Sequence, residues 1–326
     1  MMNKNMHIGL VGIGHWGKNI LHNLLRLNVT CTACDCNKEL INARKKEFPN
    51  AQYTSRYNDI LSNNKIKAVI IATPASTHFE LAKQAINTQK DILVEKPLAL
   101  NLSHGLELVE LARFKKKILM VGHILHYHPA VSKLKRLIDI GTLGKIQYMY
   151  SNRLNIGKLR AEENILWSFA PHDISAMLMF IGEEPLKVNA FGGGYINKAT
   201  YDTTVTTLNF SNGVKGHIFV SWLHPYKEQK FIIVGSKAMA VFDDLTKEKI
   251  FIYPHRIRWI NGKVPIAQKA DHYTVAIENK EPLREELLHF IDCVKDRKRP
   301  RTDGAEGVRV LKVLESAERS LLKSSL

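Results

Sequence analysis

The chain has 326 residues, 45% hydrophobic and 24% charged, with 47 Lys and Arg against 31 Asp and Glu for a net charge of +16. This size suggests two domains, and the composition is that of a folded globular protein with a sizeable core. No apolar run approaches the ~18 residues of a membrane span. No zinc-finger spacing, RNP aromatic motif or long basic tail points to nucleic acid, so the positive field reads as suited to an anionic small molecule, or as a plain solvated basic surface.

The N-terminal stretch "MMNKNMHIGLVGIGHWG" has a short apolar run, studded with glycines and lacking a small-x-small cleavage site. It reads as the first strand of a cytoplasmic protein rather than as a signal peptide. Next comes Gly12-x-Gly14-x-x-Gly17, then a helical pattern with Ile20, Leu21, Leu24 and Leu25 on one face. In such a turn the first glycine allows a tight bend, the second lets backbone approach a pyrophosphate, and the third lets helix pack on strand. A second apolar run ends at Asp35, 18 residues after Gly17. That is the expected place for a carboxylate that binds an adenine-ribose diol and repels a 2′-phosphate, favouring NAD over NADP, although Lys38 lies close by.

That second run, "VTCTACDC", holds three of the four cysteines. In a strand Cys34 and Cys36 share one face and Cys31 takes the other. With Cys293 far away and no second CxxC, the four read as core thiols in a reducing compartment, and no metal site is expected.

The alternation continues through "AQYT" and "YNDILSN" to the apolar strands "AVIIAT" and "DILVEKP", with the helical "HFELAKQAINT" between the last two. This βαβ rhythm predicts a parallel sheet whose ligands bind at the strands' carboxyl ends. Thr73, Pro74, Glu95, Lys96 and Pro97 occupy those ends. A lysine at the tip of a buried strand is poorly hydrated, which lowers its pKa and suits it to accept a proton from a sugar hydroxyl.

Taken in order, Gly12-x-Gly14-x-x-Gly17, Asp35, "ATPASTH", "EKPLAL" and "VGHILHYHPAVSKLK" resemble the Gfo/Idh/MocA oxidoreductases. The closing "ELLHFIDCVKDRKRPRTDGAEGVRVLKVLESAERS" is similar to that family's last helices, so the likeness spans essentially the whole chain. The resemblance implies an α/β protein: a doubly wound Rossmann domain over residues 1–124, then a domain over 125–326 with a large, mostly antiparallel sheet. It implies that one sheet face helps form the active site and the other mediates assembly into a homodimer or homotetramer, with the last helices packing back on the first domain. It also implies NAD contacts from Gly12, Ile13, Gly14, His15, Trp16, Gly17, Asp35, Thr73, Pro74, His78, Glu95 and Lys96.

In that family the lysine of the Glu-Lys-Pro motif binds nicotinamide or substrate hydroxyls, and a later Asp-x-x-x-His contributes a proton-transfer histidine. Aligned on "WSFAPHDIS", the histidine falls on His172 and the acid on Ser168. A hydroxyl can bond a substrate but is no carboxylate base, which leaves Lys96 as the base and His172 as its partner. Asp173 is expected in the first turn of a helix beginning near Pro171, where a carboxylate complements the dipole.

Upstream, "YSNRLNIGKLRAEENILWSFAPHD" clusters Arg153, Lys158 and Arg160 with Asn152 and Asn155 interleaved. Guanidinium groups bind diphosphates bidentately; the alternative is an exposed basic loop. The stretch resembles a subgroup of the family that oxidises nucleotide-activated amino sugars, the UDP-N-acetylglucosamine 3-dehydrogenases, whose 3-keto products feed lipid A or surface polysaccharide synthesis. UDP-N-acetylglucosaminuronate dehydrogenases, inositol or free-sugar dehydrogenases and a non-catalytic NAD- and sugar-binding regulator are the alternatives. Substrate contacts are expected from His126, Tyr127, Arg153, Asn155, Lys158, Arg160, Trp167, Ser168 and His172, with His126 standing where many members have arginine. Beyond these, "YDTTVTTLNFSNGVKGHIFVSWLH" alternates apolar and polar residues around an Asn212-Gly213 hairpin turn. Trp222 and Trp259 are expected in the core or at a subunit interface.

Overall fold

Apolar runs bounded by turn residues form the strands, and amphipathic runs between them form the helices. The computed structural model describes residues 6–156, 163–198 and 200–324. The chain divides into two compact units, Met1–Tyr127 with Glu281–Leu311 and His128–Lys280 with Lys312–Leu326.

In the first unit β1 (His7–Val11), α1 (His15–Arg26), β2 (Thr30–Cys34), α2 (Lys38–Glu47), β3 (Gln52–Thr54) and α3 (Tyr57–Leu61) are followed by β4 (Ile66–Ile71), α4 (His78–Asn87), β5 (Asp91–Glu95), α5 (Leu102–Phe114) and β6 (Leu119–Gly122). The six strands form one sheet in the order β3-β2-β1-β4-β5-β6, every neighbouring pair parallel. The order reverses between β1 and β4, the position where sheets of this kind bind ligands. Val11 pairs with Ile71, so β1 and β4 end level and their following turns lie side by side.

The second unit begins with α6 (Pro129–Asp139), β7 (Ile146–Leu154) and α7 (Ile165–Ile181). It continues through β8 (Lys187–Gly193), β9 (Thr203–Asn209), β10 (Lys215–Ser221), β11 (Glu228–Gly235), β12 (Met239–Asp243), β13 (Ile250–Tyr253), β14 (Arg256–Ile260), β15 (Val264–Gln268) and β16 (Tyr273–Thr274). Eight of these strands form a sheet in the order β16-β13-β12-β11-β7-β10-β9-β8. Only β7 and β10 run parallel, and the other pairs are antiparallel. The β9–β10 hairpin turns at Gly213, whose φ of +86° suits glycine. Helix α7 packs on one sheet face, across β7, β9 and β10. The last helices are α8 (Pro282–Asp296), in the first unit, and α9 (Gly304–Ser324), within which the unit boundary falls.

In the first unit Ile20, Leu21 and Leu24 of α1 are fully buried against Ile8 and Leu10 of β1 and Leu287 and Phe290 of α8. Cys31, Cys34 and Cys293 are buried too, but Cys36 is exposed. Strand β2 stops at Cys34 and the chain turns at Asp35 towards α2, so the alternation that would have buried Cys36 has already ended. Trp222 is buried as a core residue, whereas Trp259 is 58% exposed. It lies on β14, which pairs only with β15, and neither strand of that ribbon has a buried residue.

The helix expected to begin near Pro171 begins at Ile165, capped by Asn164, whose side chain accepts from the N–H of Trp167 at 3.2 Å. Pro171 lies inside it, so Ser168, His172 and Asp173 are mid-helix and Asp173 has no helix terminus to complement. Proline removes one helical hydrogen bond, and the seventeen-residue helix tolerates that loss because most of its side chains are buried.

Candidate active site

The glycine-rich turn is shaped by two close approaches. Gly12 has φ +88°, and a Cβ there would lie 2.7 Å from the backbone of Ala72 after β4. A Cβ on Gly17 would lie 1.9 Å from the carbonyl oxygen of Gly12, so only glycine lets α1 pack this near its strand. Gly14 differs: a Cβ there would meet nothing within 4 Å. The turn thus leaves open space in front of the start of α1, whose first turn carries no acidic side chain. The leading N–H groups of a helix lack helical partners and favour an anion. His15 is exposed there and Trp16 half-buried.

Asp35 follows β2 and is braced by backbone. Its Oδ2 accepts from the N–H of Ile13 at 2.9 Å and its Oδ1 from the N–H of Asn37 at 3.0 Å. Each carboxylate oxygen keeps a further lone pair for a ribose diol. These residues fit a dinucleotide: room for the pyrophosphate at Gly14, donors at α1 and a fixed acceptor at the diol end.

At the ends of β4 and β5 the turn residues are tied together by His78. This side chain is 1% exposed, with Nδ1 2.7 Å from the carbonyl oxygen of Pro97 and Nε2 2.9 Å from that of Thr73. The structure places His78 as a brace between the two turns rather than as a surface for a ligand. Thr73 is half-buried and Pro74 exposed.

Glu95 ends β5 fully enclosed. Its Oε1 accepts from the indole N–H of Trp16 at 2.5 Å and its Oε2 faces the N–H of Lys96 at 3.4 Å. Gly122 at the end of β6 makes room, since a Cβ there would lie 2.8 Å from Oε2. Burial raises the Glu95 pKa, opposed by the Trp16 hydrogen bond and the charge of Lys96. Glu286 on α8 is buried too, its pKa pushed well up by burial and then by the charge of Glu95, with Oε1 buried and without a hydrogen-bond partner. Glu95 accepts from a donor whereas Glu286 Oε1 does not, and this favours the neutral form at Glu286. Lys96 itself is half-buried at the strand tip.

His126 and Tyr127, expected to meet substrate, are 7% and 3% exposed within the first unit. His126 Nε2 lies 3.6 Å from Glu306, which also pairs with His123, and the Tyr127 hydroxyl lies 3.0 Å from that of Thr302. Both act as packing residues there.

In the second unit, Arg153 on β7 donates from Nε to Asp173 Oδ2 at 2.6 Å and from Nη2 to Oδ1 at 3.2 Å. Ser151 adds an O–H bond to Oδ1 at 2.6 Å. Burial works against the guanidinium charge, but Asp173 and then Asp244 overcome it and raise the Arg153 pKa. Arg153, expected to clamp a phosphate, is engaged by a carboxylate of its own chain. Trp167 is buried with its indole N–H on Glu318 at 2.9 Å, so it too is held by the protein. Ser168 is buried one helical turn before the half-buried His172. Asn155, just past β7, is half-buried, its N–H bonded to the carbonyl of Ser221 at 3.1 Å. Lys158 and Arg160 lie outside the described residues. Among the described residues no cluster of three or more His, Cys, Asp or Glu is arranged to hold a metal ion, and no helix is long and apolar enough to cross a membrane.

Sequence reasoning missed Glu286, the bracing bonds of Asp35 and the Asp173–Arg153 pair. It also missed His128, which caps α6 through Nδ1 and places Nε2 3.2 Å from Asp244.

Residues 6–123 match the model of the Gfo/Idh/MocA oxidoreductase family's NAD-binding Rossmann fold, and residues 131–241 match the C-terminal domain of the same family. The chain is 27% identical over 94% of its length to the UDP-N-acetylglucosamine 3-dehydrogenase of Acidithiobacillus ferrooxidans, covering 94% of that protein. It is 25% identical over 92% of its length to the scyllo-inositol 2-dehydrogenase (NAD(+)) of Bacillus subtilis, covering 89% of it. The solved structure of the Acidithiobacillus enzyme superposes with a TM-score of 0.84 at 22% identity, covering 97% of each chain. With both family domains matched in sequence and the same two-domain fold, the chain belongs to the Gfo/Idh/MocA oxidoreductases and takes NAD as its cofactor.

Proposed function

We propose that the protein oxidises the C3 hydroxyl of a UDP-N-acetylhexosamine, UDP-N-acetylglucosamine in the first instance, to the 3-keto sugar. The observation that carries this reading is the placement of Lys96 at the carboxyl end of β5, backed by Glu95, which Trp16 bonds from the dinucleotide-binding helix. A relative that shares nearly the full length acts on that sugar nucleotide by its name. Such a ketone is a substrate for amination, which suits supply of amino sugars for lipid A or surface polysaccharide.

Gly12 to Gly17, Asp35 and Thr73 would hold the dinucleotide, with Lys96 at the nicotinamide end. NAD+, when bound, supplies the acceptor for the hydride that leaves the carbinol carbon. Lys96 takes the hydroxyl proton as the carbon–oxygen double bond forms, and His172 assists that transfer. Ser168 and Asn155 offer hydrogen bonds to sugar hydroxyls, and Lys158 and Arg160 offer charge to the diphosphate. Holding the carbinol carbon in reacting orientation contributes much of the acceleration in such a site.

A second reading, oxidation of an inositol ring hydroxyl, draws support from the comparable identity to scyllo-inositol 2-dehydrogenase. NADH formation with UDP-N-acetylglucosamine, its uronic acid, scyllo- and myo-inositol and glucose separates the two. The proposal expects turnover with a UDP-sugar, aided by a coupled aminotransferase that removes the ketone, and turnover with inositols alone overturns it.

A further inference from the structure

Helix α7 carries His172 on a turn that its own backbone does not fully hold. Pro171 has no N–H, so the carbonyl of Trp167 one turn earlier has no helical donor. The next anchor is Asp173, 2% exposed, whose two carboxylate oxygens receive three hydrogen bonds from β7: two from Arg153 and one from Ser151. Arg153 and Ser151 are two residues apart on one strand and so share its α7-facing side. A planar guanidinium donating through two nitrogens fixes the angle of the carboxylate as well as its distance.

The network continues beyond this pair. Asp244, after β12, adds its charge to the Arg153 environment and receives His128 at 3.2 Å. His128 Nδ1 accepts from the N–H of Ala130, so its proton sits on Nε2 and points to Asp244. Helix α6, which also packs on α7, carries Lys133, Lys135, Arg136 and Asp139, with Lys135 paired to Asp139. The faces of β9 and β10 turned to the core carry Thr204, Thr206 and Ile218, and Glu318 is engaged by Trp167.

We infer that Arg153 is a positioning residue, which clamps Asp173 and thereby sets where the adjoining His172 imidazole points at the weakened turn of α7. Resting on the reading of His172 given under Proposed function, this assigns to Arg153 a part in turnover rather than in holding the substrate's phosphates.

The test compares Arg153→Lys, Arg153→Met and Ser151→Ala, with His172→Ala as reference, in the full-length enzyme. Readouts are kcat, KM for UDP-N-acetylglucosamine and the NMR titration of the His172 ring. Arg153→Met is expected to lower kcat roughly ten- to a hundredfold, the scale of a misplaced catalytic group, with KM within about twofold of wild type. Its His172 midpoint is expected to move up, because loss of the Arg153 cation leaves the Asp173 carboxylate, one residue along the helix, uncompensated. Arg153→Lys keeps the charge and loses the fork, so kcat falls while the midpoint stays. Ser151→Ala lowers kcat a few fold, and both milder variants carry the test should the methionine variant not fold. A rise in KM with kcat and midpoint unchanged, or no change in any readout, overturns the inference. Full activity in His172→Ala instead overturns the proton-transfer reading, and the His172 midpoint in the Arg153 variants still decides this one.

Discussion

The indole N–H of Trp16 donates to Glu95 Oε1 at 2.5 Å, tying the helix of the glycine-rich turn to the strand tip from which Lys96 projects. Replacing Trp16 with Phe keeps a ring but strips a buried carboxyl group of its shortest hydrogen bond. The expected cost is about 1–3 kcal/mol, the scale for a buried polar group left short of a partner. Urea denaturation measures it, and NAD affinity should weaken in the same variant.

Glu286 predicts a pH dependence. Held neutral in the folded chain by burial and by the charge of Glu95, it ionises in the unfolded chain above its ordinary value of 4.5. The folded state therefore binds the extra proton from that value up to its raised folded pKa, and stability falls as pH rises through this window. Glu286→Gln removes this contribution, while Glu95, also raised, keeps its own. The urea midpoint of the variant should gain on wild type as pH rises above the ordinary carboxylate value of 4.5, and parallel curves would refute the assignment.

Two glycines of the same turn should respond differently. Alanine at Gly17 collides with the carbonyl of Gly12 at 1.9 Å, so Gly17→Ala should lose both stability and NAD binding. Alanine at Gly14 meets no protein atom within 4 Å, so the melting temperature without NAD should stay at the wild-type value. The added methyl then occupies the approach of the pyrophosphate, and calorimetry should show NAD affinity reduced about tenfold or more.

Thiol labelling reads the region around Asp35. Burial pushes Cys31 up to about 12 and Cys34 to about 11, and it also raises Cys293, whereas Cys36 is exposed. Since the thiolate is the reacting form, a disulfide reagent near neutral pH should modify Cys36 first, as peptide mapping would show. NAD should slow that reaction, because Cys36 adjoins the carboxylate assigned to the ribose.

The features legible in the sequence are those governed by neighbours along the chain. The turn from Gly12 to Gly17, the acid at Asp35 and the strand tips at Thr73 and Lys96 follow from local periodicity and turn chemistry. Asp173 was not legible, because Pro171 looks like a helix start and the carboxylate's partner, Arg153, lies twenty residues away on another element. Glu286 has the look of a solvent-facing acid on an amphipathic helix, and only the packing of α8 buries it. Trp259 is exposed because no layer covers its two-stranded ribbon, a property of tertiary structure that hydrophobicity along the strand does not encode.

The hydride itself offers the most direct measurement. UDP-N-acetylglucosamine carrying deuterium at C3 is mixed with the enzyme and NAD+, and the reduced cofactor is analysed by mass spectrometry. The account predicts one deuteron in the nicotinamide ring with wild-type enzyme and none above background with Lys96→Met. Unlabelled NADH from wild type, or undiminished transfer in the lysine variant, would contradict it.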